Sequence, residues 1–343
     1  MKAVRLRLSG IVQGVAFRPF VFRVARLAGV TGYVKNVGGS GVEIHVEGEP
    51  GRVEEFIKLL WELKPEKARI DEYSITQTTP KGYPDFKIEQ SDPSAHFRSI
   101  IPPDFSICRD CLYEILSETR WHLYPFNSCA FCGPRYSMIY SVPYDRENTS
   151  MRDFPLCQSC LREYSNPEDE RRFHAQGISC PVCGPSVRLL SSGGEVLADG
   201  VRAIEEAARL IDSRHIVAVK GLGGYHIAAL ATDDDVLAEL RSRKRRPTKP
   251  FAVMCLDTYT VSRLVELRPE AVRILDSPEK PILLLPMLDD APISRLVAPN
   301  LRKLGVFLPY TGLHYLLLSW IRDKYAIMTS GNPHNEPMCT SDE

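Results

Sequence analysis

The chain carries ten cysteines, and eight of them fall in four Cys-x-x-Cys knuckles: Cys108/Cys111, Cys129/Cys132, Cys157/Cys160 and Cys180/Cys183. A knuckle places two thiolates on one tight turn, which is half of a tetrahedral zinc shell. Seventeen residues separate Cys111 from Cys129, and nineteen separate Cys160 from Cys180. Both gaps fit a four-cysteine zinc site. Pairing of neighbouring knuckles gives two closed, all-cysteine structural sites. Interleaved knuckles, or a shell of three cysteines with His122 or His174, are the chemical alternatives. A catalytic zinc keeps one position open, and four thiolates leave none.

A second constellation lies near the N-terminus. The loop Gly10-Ile-Val-Gln13-Gly14-Val15-Ala-Phe17-Arg18 joins a strand pattern to a helix pattern. Glycines let backbone N–H groups converge, and a helix N-terminus favours an anion. Arg18 adds a planar guanidinium suited to bidentate grip of a phosphoryl group. Asn36, ending Gly32-Tyr-Val-Lys-Asn36, has the side chain to hold an attacking water. The same residues would also serve an ordinary tight turn with a surface arginine.

A third set lies in the last third. An apolar run, Ile216 to Val219, leads into Lys220-Gly-Leu-Gly-Gly-Tyr-His226, read as a buried strand delivering a lysine into a glycine-rich phosphate cradle without Walker spacing. Then six cations occur in the nine residues Arg241 to Lys249, among them Arg243, Lys244, Arg245 and Lys249. Last comes Met328-Thr329-Ser330-Gly331-Asn332-Pro333, whose small hydroxyl and amide groups suit phosphate or ribose. A solvated basic face and a plain turn are the bland readings.

The patterning expects an α+β multidomain protein. Residues 1–91 read as strand Ala3 to Ser9, helix Pro19 to Leu27, strands Tyr33 to Asn36 and Val42 to Glu47 around the turn Gly38-Gly39-Ser40-Gly41, helix Val53 to Leu63, and strands Tyr73 to Thr78 and Phe86 to Glu89. That order is βαββαβ with an added edge strand, as in ferredoxin-like folds. Residues 92–190 lack long apolar runs and repeat themselves: Arg120-Trp-His122 precedes Cys129-x-x-Cys132-Gly-Pro, and Arg172-Phe-His174 precedes Cys180-x-x-Cys183-Gly-Pro. Metal is expected to supply the folding energy of this tandem zinc-finger-like region. Residues 200–343 return to α/β patterning, with a helix Val201 to Ile211, a helix Asp233 to Arg243, and strands Pro281 to Leu285 and Ala326 to Thr329.

Composition restricts the function classes. Lys and Arg number 43, Asp and Glu also 43, so the net charge is zero, and neither nucleic acid nor membrane is an expected partner. No run reaches the ~18 to 20 apolar residues of a membrane span. The first ten residues alternate as a strand rather than a signal peptide, so zinc in a reducing cytoplasm is expected over disulfides.

Gly10-x-Val12-Gln13-Gly14-Val15-x-Phe17-Arg18 together with Gly32-Tyr-Val-Lys-Asn36 resembles the acylphosphatase signature. The resemblance implies hydrolysis of a carboxyl–phosphate anhydride, with Arg18 on the phosphate and Asn36 orienting water. Lys220-Gly-Leu-Gly-Gly-Tyr-His226, Arg243-Lys-Arg-Arg-Pro-x-Lys-Pro250, Leu308-Pro-Tyr-Thr311 with Leu313-His314, and Thr329-Ser-Gly-Asn332 resemble the YrdC-like nucleotide-binding domain. With the zinc modules between them, the whole chain resembles the HypF-type carbamoyltransferases of hydrogenase maturation.

That resemblance implies cleavage of carbamoyl phosphate to carbamate, activation of carbamate with ATP and Mg2+ as carbamoyl-AMP, and transfer to the C-terminal cysteine of a HypE-type protein. It also makes Arg171-Arg-Phe-His174-Ala-Gln176 a stretch in which His174 lines a site. The transferase domain and the last elements of the YrdC-like domain are missing against the family pattern, and Pro333 departs from it. The expectation is a C-terminally incomplete fragment that binds zinc and hydrolyses acyl phosphates but lacks the transfer step. Rival readings are a zinc-organised binding scaffold and a threonylcarbamoyl-adenylate synthase-like enzyme.

Overall fold

The computed structural model describes residues 1–39, 41–92, 94, 100–332 and 336–342. Ser40 and Pro333, part of the motifs above, and Glu343 lie outside the described residues. The chain divides into two compact units: residues 1–104 with 128–184, and residues 105–127 with 185–343.

The first unit opens with β1 (Lys2–Ile11), α1 (Phe17–Ala28), β2 (Thr31–Val37), β3 (Gly41–Gly48), α2 (Pro50–Glu62), β4 (Arg69–Thr78) and β5 (Phe86–Ile88). They form a five-stranded sheet in the order β4-β1-β3-β2-β5. The pairs are antiparallel except β2 with the short edge strand β5. This is the expected βαββαβ order with its extra strand. α1 buries Phe17, Phe20, Val21, Val24 and Ala25, apolar positions spaced at 3 to 4 residues. α2 buries Val53, Phe56 and Leu60 in the same way. Each such large side chain contributes roughly 1.5 to 3 kcal/mol on leaving water.

Two short helices, α3 (Arg109–Leu116) and α4 (Gln158–Ser165), each start immediately after the first cysteine of a knuckle, Cys108 and Cys157. The repeat seen in the sequence is therefore a repeat of local structure.

The second unit adds a small hairpin, β6 (Arg188–Leu190) with β7 (Val196–Asp199), then α5 (Gly200–Asp212), β8 (Val217–Gly221), β9 (Gly224–Ala229), α6 (Asp234–Arg243), β10 (Ala252–Cys255), α7 (Thr258–Ser262), α8 (Pro269–Leu275), β11 (Leu283–Pro286), β12 (Lys303–Phe307), α9 (Gly312–Trp320) and β13 (Tyr325–Ser330). Its six-stranded sheet runs β11-β12-β10-β13-β9-β8, parallel only between β10 and β12. The core gathers Leu237, Phe251, Val253, Leu304, Val306 and Ile327 with their neighbours.

One expectation is corrected here. Ile216 to Val219 does not form a buried strand that delivers Lys220 into a glycine-rich loop. β8 is an edge strand whose residues alternate, with Val217 and Val219 buried and Ala218 and Lys220 exposed. Lys220 and Gly221 belong to the strand, and a tight turn at Leu222 and Gly223 returns the chain directly into β9. No helix of the described residues is long and apolar enough to cross a membrane.

Candidate functional site

In the first unit, residues 12–16 connect β1 to α1, and among them Gly14 and Ala16 have φ of +70° and +60°. Left-handed residues next to right-handed ones turn successive N–H groups to one side, which makes an anion nest. α1 has no side-chain cap and no acid in its first turn. Its first N–H groups and the positive end of its dipole are thus left for an external anion. A Cβ at Gly14 would stand 3.1 Å from the Arg135 side chain and would strain the backbone. Val15 and Phe17 bury their side chains, so they offer the loop only backbone.

Gln13, buried, ties this loop to the β2–β3 turn. Its Nε2 donates to the carbonyls of Val37 (3.2 Å) and Gly41 (2.7 Å), while its Oε1 accepts from Tyr144 N–H at 2.8 Å. Arg135 approaches from the knuckle side, donating through Nε to the Gly14 carbonyl and through both Nη groups to the carbonyls of Cys132, Pro134 and Ala130.

Arg18 and Asn36 converge on one acceptor. Arg18 Nη2 donates to the Tyr144 carbonyl at 3.2 Å, and Asn36 Nδ2 donates to the same oxygen at 3.3 Å. Arg18 Nη2 also pairs with Asp145 Oδ1 at 2.7 Å. Anchoring Nδ2 fixes which way the Asn36 amide faces, and its Oδ1 is buried with no hydrogen-bond partner among the described residues. A buried acceptor left open costs free energy unless something donates to it. A water is the natural donor. The cavity over the loop, about 30 Å³, is lined by Gln13, Gly14, Arg18, Asn36, Tyr144 and His174 among others.

His174 sits at φ +52°, with its ring centroid 5.1 Å from Tyr164 and 4.7 Å from Phe173. Burial, and then the Arg18 charge, push its pKa down to about 4, so the ring is neutral near pH 7. Arg135, Tyr144 and Asp145 were not singled out from sequence. The signal available was an asymmetry of the repeat: Arg135 follows the first Cys-Gly-Pro, where Ser186 follows the second.

The cysteines gather as the spacing predicts. Cys108, Cys111, Cys129 and Cys132 form one group, and Cys157, Cys160, Cys180 and Cys183 another, each with its Sγ atoms within 4.8 Å of one another. None of the eight is in a disulfide. Neighbouring Sγ atoms stand 3.7 Å apart in Cys129/Cys132, and 3.8, 3.8 and 3.6 Å apart in Cys157/Cys180, Cys180/Cys183 and Cys160/Cys183. A tetrahedron with Zn–S near 2.3 Å has edges of about 3.8 Å. The donor set fits zinc without rearrangement. The Cys160 N–H lowers the Cys157 thiol to about 7, which favours the thiolate a metal requires.

In the second unit, Lys244 reaches from the end of α6 to the carbonyls of Ser330 (2.6 Å) and Asn332 (3.1 Å). Arg246 donates to Thr329 Oγ1 at 3.3 Å, and Ser330 Oγ donates to Asn332 Oδ1. His226 pairs across the strands with Ser330. The structure therefore brings Lys244, Thr329, Ser330, Asn332 and His226 together. It does not gather all the cations. Arg243 pairs with Glu239 on the exposed face of α6, and Arg245 and Lys249 are exposed. Lys220 pairs with Asp342, to which Tyr225 also donates at 2.7 Å.

Arg241, buried and outside the predicted set, shapes the basic turn by donating to the carbonyls of Leu296, Arg246, Pro247 and Lys249. Tyr310 and His314 are further neighbours of His226. Tyr310 OH lies 3.3 Å from His226 Nε2, and the His314 ring stacks on His226 at 5.5 Å.

Comparison with known proteins matches these parts. Residues 4–88 match the acylphosphatase family, residues 107–139 and 156–190 the HypF finger, and residues 209–343 the Sua5_yciO_yrdC family, described as telomere recombination. The carbamoyltransferase HypF of Rhodobacter capsulatus is 43% identical over 338 residues, covering 98% of this chain and 44% of that protein. An acylphosphatase of Thermotoga petrophila is 44% identical over 89 residues, 26% of this chain and 98% of that protein. A crystal structure of full-length HypF in a phosphate- and nucleotide-bound form superposes with a TM-score of 0.91 at 41% identity, over 99% of this chain and 44% of that one. This chain spans less than half the length of the curated carbamoyltransferases it matches. Over nearly its whole length the chain matches the corresponding part of the HypF carbamoyltransferases, joining an acylphosphatase domain, HypF fingers and a Sua5/YrdC-like domain in one polypeptide.

Proposed function

We propose that this chain performs the activation half of a carbamoyltransferase of [NiFe]-hydrogenase maturation: hydrolysis of carbamoyl phosphate in residues 1–91, and ATP-dependent activation of the carbamate in residues 200–343, with residues 92–190 as a zinc-stabilised module. The observation that carries the first step is the convergence of Arg18 and Asn36 on the Tyr144 carbonyl beside the backbone nest. The nest and the Arg18 guanidinium bind the phosphoryl group. A water donating to Asn36 Oδ1 is held for attack on phosphorus. The P–O bond to the carbamoyl carbon side breaks, carbamate leaves with the bond's electrons, and dihydrogen phosphate forms. Catalysis rests on positioning and charge, with no covalent nucleophile.

For the second step the substrate is ATP, with Mg2+ bound to its phosphates. A carbamate oxygen attacks the α-phosphorus, carbamoyl-AMP forms and pyrophosphate leaves. Lys220, Lys244, Arg243, Arg245 and Lys249 are the proposed cations, and His226, Thr329, Ser330 and Asn332 the proposed polar contacts. The clustering of Lys244 with the Thr329–Asn332 turn supports the reading for those residues more than for Arg243. Thiolate geometry supports two zinc ions in the cysteine groups; zinc supplies structural cross-linking there, and no step passes through it. Transfer to a HypE-type protein is a step we assign to the whole carbamoyltransferase.

The test is release of pyrophosphate from ATP with and without carbamoyl phosphate. Carbamoyl phosphate-dependent release supports both steps. Phosphate release alone supports the first and contradicts the second for this chain.

A further inference from the structure

In the acyl-phosphate site, the loop nest and Arg18 account for the phosphoryl group, and Asn36 accounts for water. The acyl side of the substrate has no assigned contact. The cavity is completed by the stretch His174 to Gly177, which comes from the cysteine-rich segment rather than the acylphosphatase domain. Its two polar side chains are in different states. Gln176 is fully engaged: Oε1 accepts from Arg146 N–H at 2.9 Å, and Nε2 lies 3.0 Å from both the His174 carbonyl and Tyr164 OH. The His174 ring, by contrast, has aromatic neighbours but no hydrogen bond among the described contacts.

Two further facts single out His174. Its φ of +52° lies in the left-handed region, which few non-glycine residues adopt. Such strain persists only where the surroundings enforce it, and it collects at functional sites. Here the N–H bond to the Tyr164 carbonyl (2.9 Å) and the ring contacts enforce it. Being neutral, the ring also presents one N–H donor and one lone pair. A carbamoyl group presents the complement, a carbonyl acceptor and an amino donor.

We propose that His174 is a specificity-determining residue, contacting the carbamoyl group while Arg18 and the loop hold the phosphoryl group. The proposal rests on the acyl-phosphate reading above. It implies that the cysteine-rich segment does more than cross-link the fold, because it selects the acyl group.

The experiment compares the intact protein with His174→Ala and His174→Asn, measuring kcat/KM for carbamoyl phosphate and for acetyl phosphate, and the inhibition constant of inorganic phosphate. Loss of a hydrogen bond made to the acyl group should lower kcat/KM for carbamoyl phosphate on the order of tenfold in His174→Ala. The loss with acetyl phosphate, which has no amino donor, should be smaller. Phosphate inhibition should be unchanged, and His174→Asn should recover part of the preference for carbamoyl phosphate. An unchanged ratio between the two substrates in His174→Ala overturns the proposal, as does a parallel weakening of phosphate inhibition. If the alanine variant loses its fold, His174→Phe, which keeps a ring but has neither donor nor acceptor, carries the same comparison. Failure of the unaltered protein to hydrolyse either acyl phosphate would instead contradict the acyl-phosphate reading itself, and this proposal with it.

Discussion

Arg18 Nη2 stands 2.7 Å from Asp145 Oδ1, with only 10% and 11% of the two side chains exposed. A pair this buried gains little over a well-packed apolar replacement, but losing one partner strands the other charge, at a cost of roughly 3 to 5 kcal/mol. Arg18→Gln is therefore expected to act twice: phosphate release from carbamoyl phosphate falls by about a hundredfold or more, and the denaturation midpoint drops. Adding Asp145→Asn should restore much of the stability and none of the activity. Paired urea titrations and rate assays check this; recovery of activity in the double variant would show that Arg18 serves structure alone.

Elemental analysis should find two zinc ions per chain, one for each four-thiolate group. Cys160→Ser should reduce the count to one. It should also depress acyl phosphate hydrolysis, because Arg146 ties the Tyr144–Asp145 turn to the carbonyls of Gln176 (2.7 Å) and Ile178 (2.9 Å), two residues before Cys180. Full hydrolysis by a one-zinc variant would contradict that linkage.

The basic turn supplies a contrast between two adjacent residues. Lys244→Met should weaken ATP binding by about tenfold or more, since its ammonium is held at the Ser330–Asn332 turn. Arg243→Met should weaken it less, because that guanidinium also makes an exposed pair with Glu239. Calorimetric titration with ATP reads both, and equal losses would contradict the placement of the site.

His174 also sets a pH dependence. Its pKa is about 4 in the folded chain, against an ordinary value near 6.5. Between those values the unfolded chain binds a proton that the folded chain refuses, so stability falls as pH drops from about 6.5 to about 4. The whole shift corresponds to roughly 3 kcal/mol. Arg18 and Asp145 are the charges that act on the ring, and Arg18 opposes its protonation. His174→Asn should flatten this limb relative to the unaltered protein, a difference that leaves out the acid sensitivity of the thiolates. Superimposable acid limbs would contradict a buried neutral His174.

Much of this architecture was legible in the residues. The knuckle spacing identified both cysteine groups because a local turn and a gap of ordinary length are enough to close a tetrahedron. The βαββαβ order followed from strong periodicity in short elements. Arg18 and Asn36 stood in a recognisable loop and strand end. What the sequence hid was long-range or backbone-borne. The acceptor shared by Arg18 and Asn36 is a carbonyl, which any residue at position 144 would supply. Asp145 lies 127 positions from its partner Arg18, beyond any local pattern. Ile216 to Val219 looked buried because four apolar residues cannot distinguish a central strand from an edge. The sheet order decides that, and it places β8 at the edge.

The central claim is that the Arg18–Asn36 site hydrolyses carbamoyl phosphate. The most direct measurement is the initial rate of phosphate release from carbamoyl phosphate by the unaltered chain and by Asn36→Asp, which keeps size and shape but puts a negative charge in place of the neutral amide that donates to the Tyr144 carbonyl. The account predicts steady release by the first and a loss of about a hundredfold in the second. Equal rates in the two proteins, or no release by either, would contradict it.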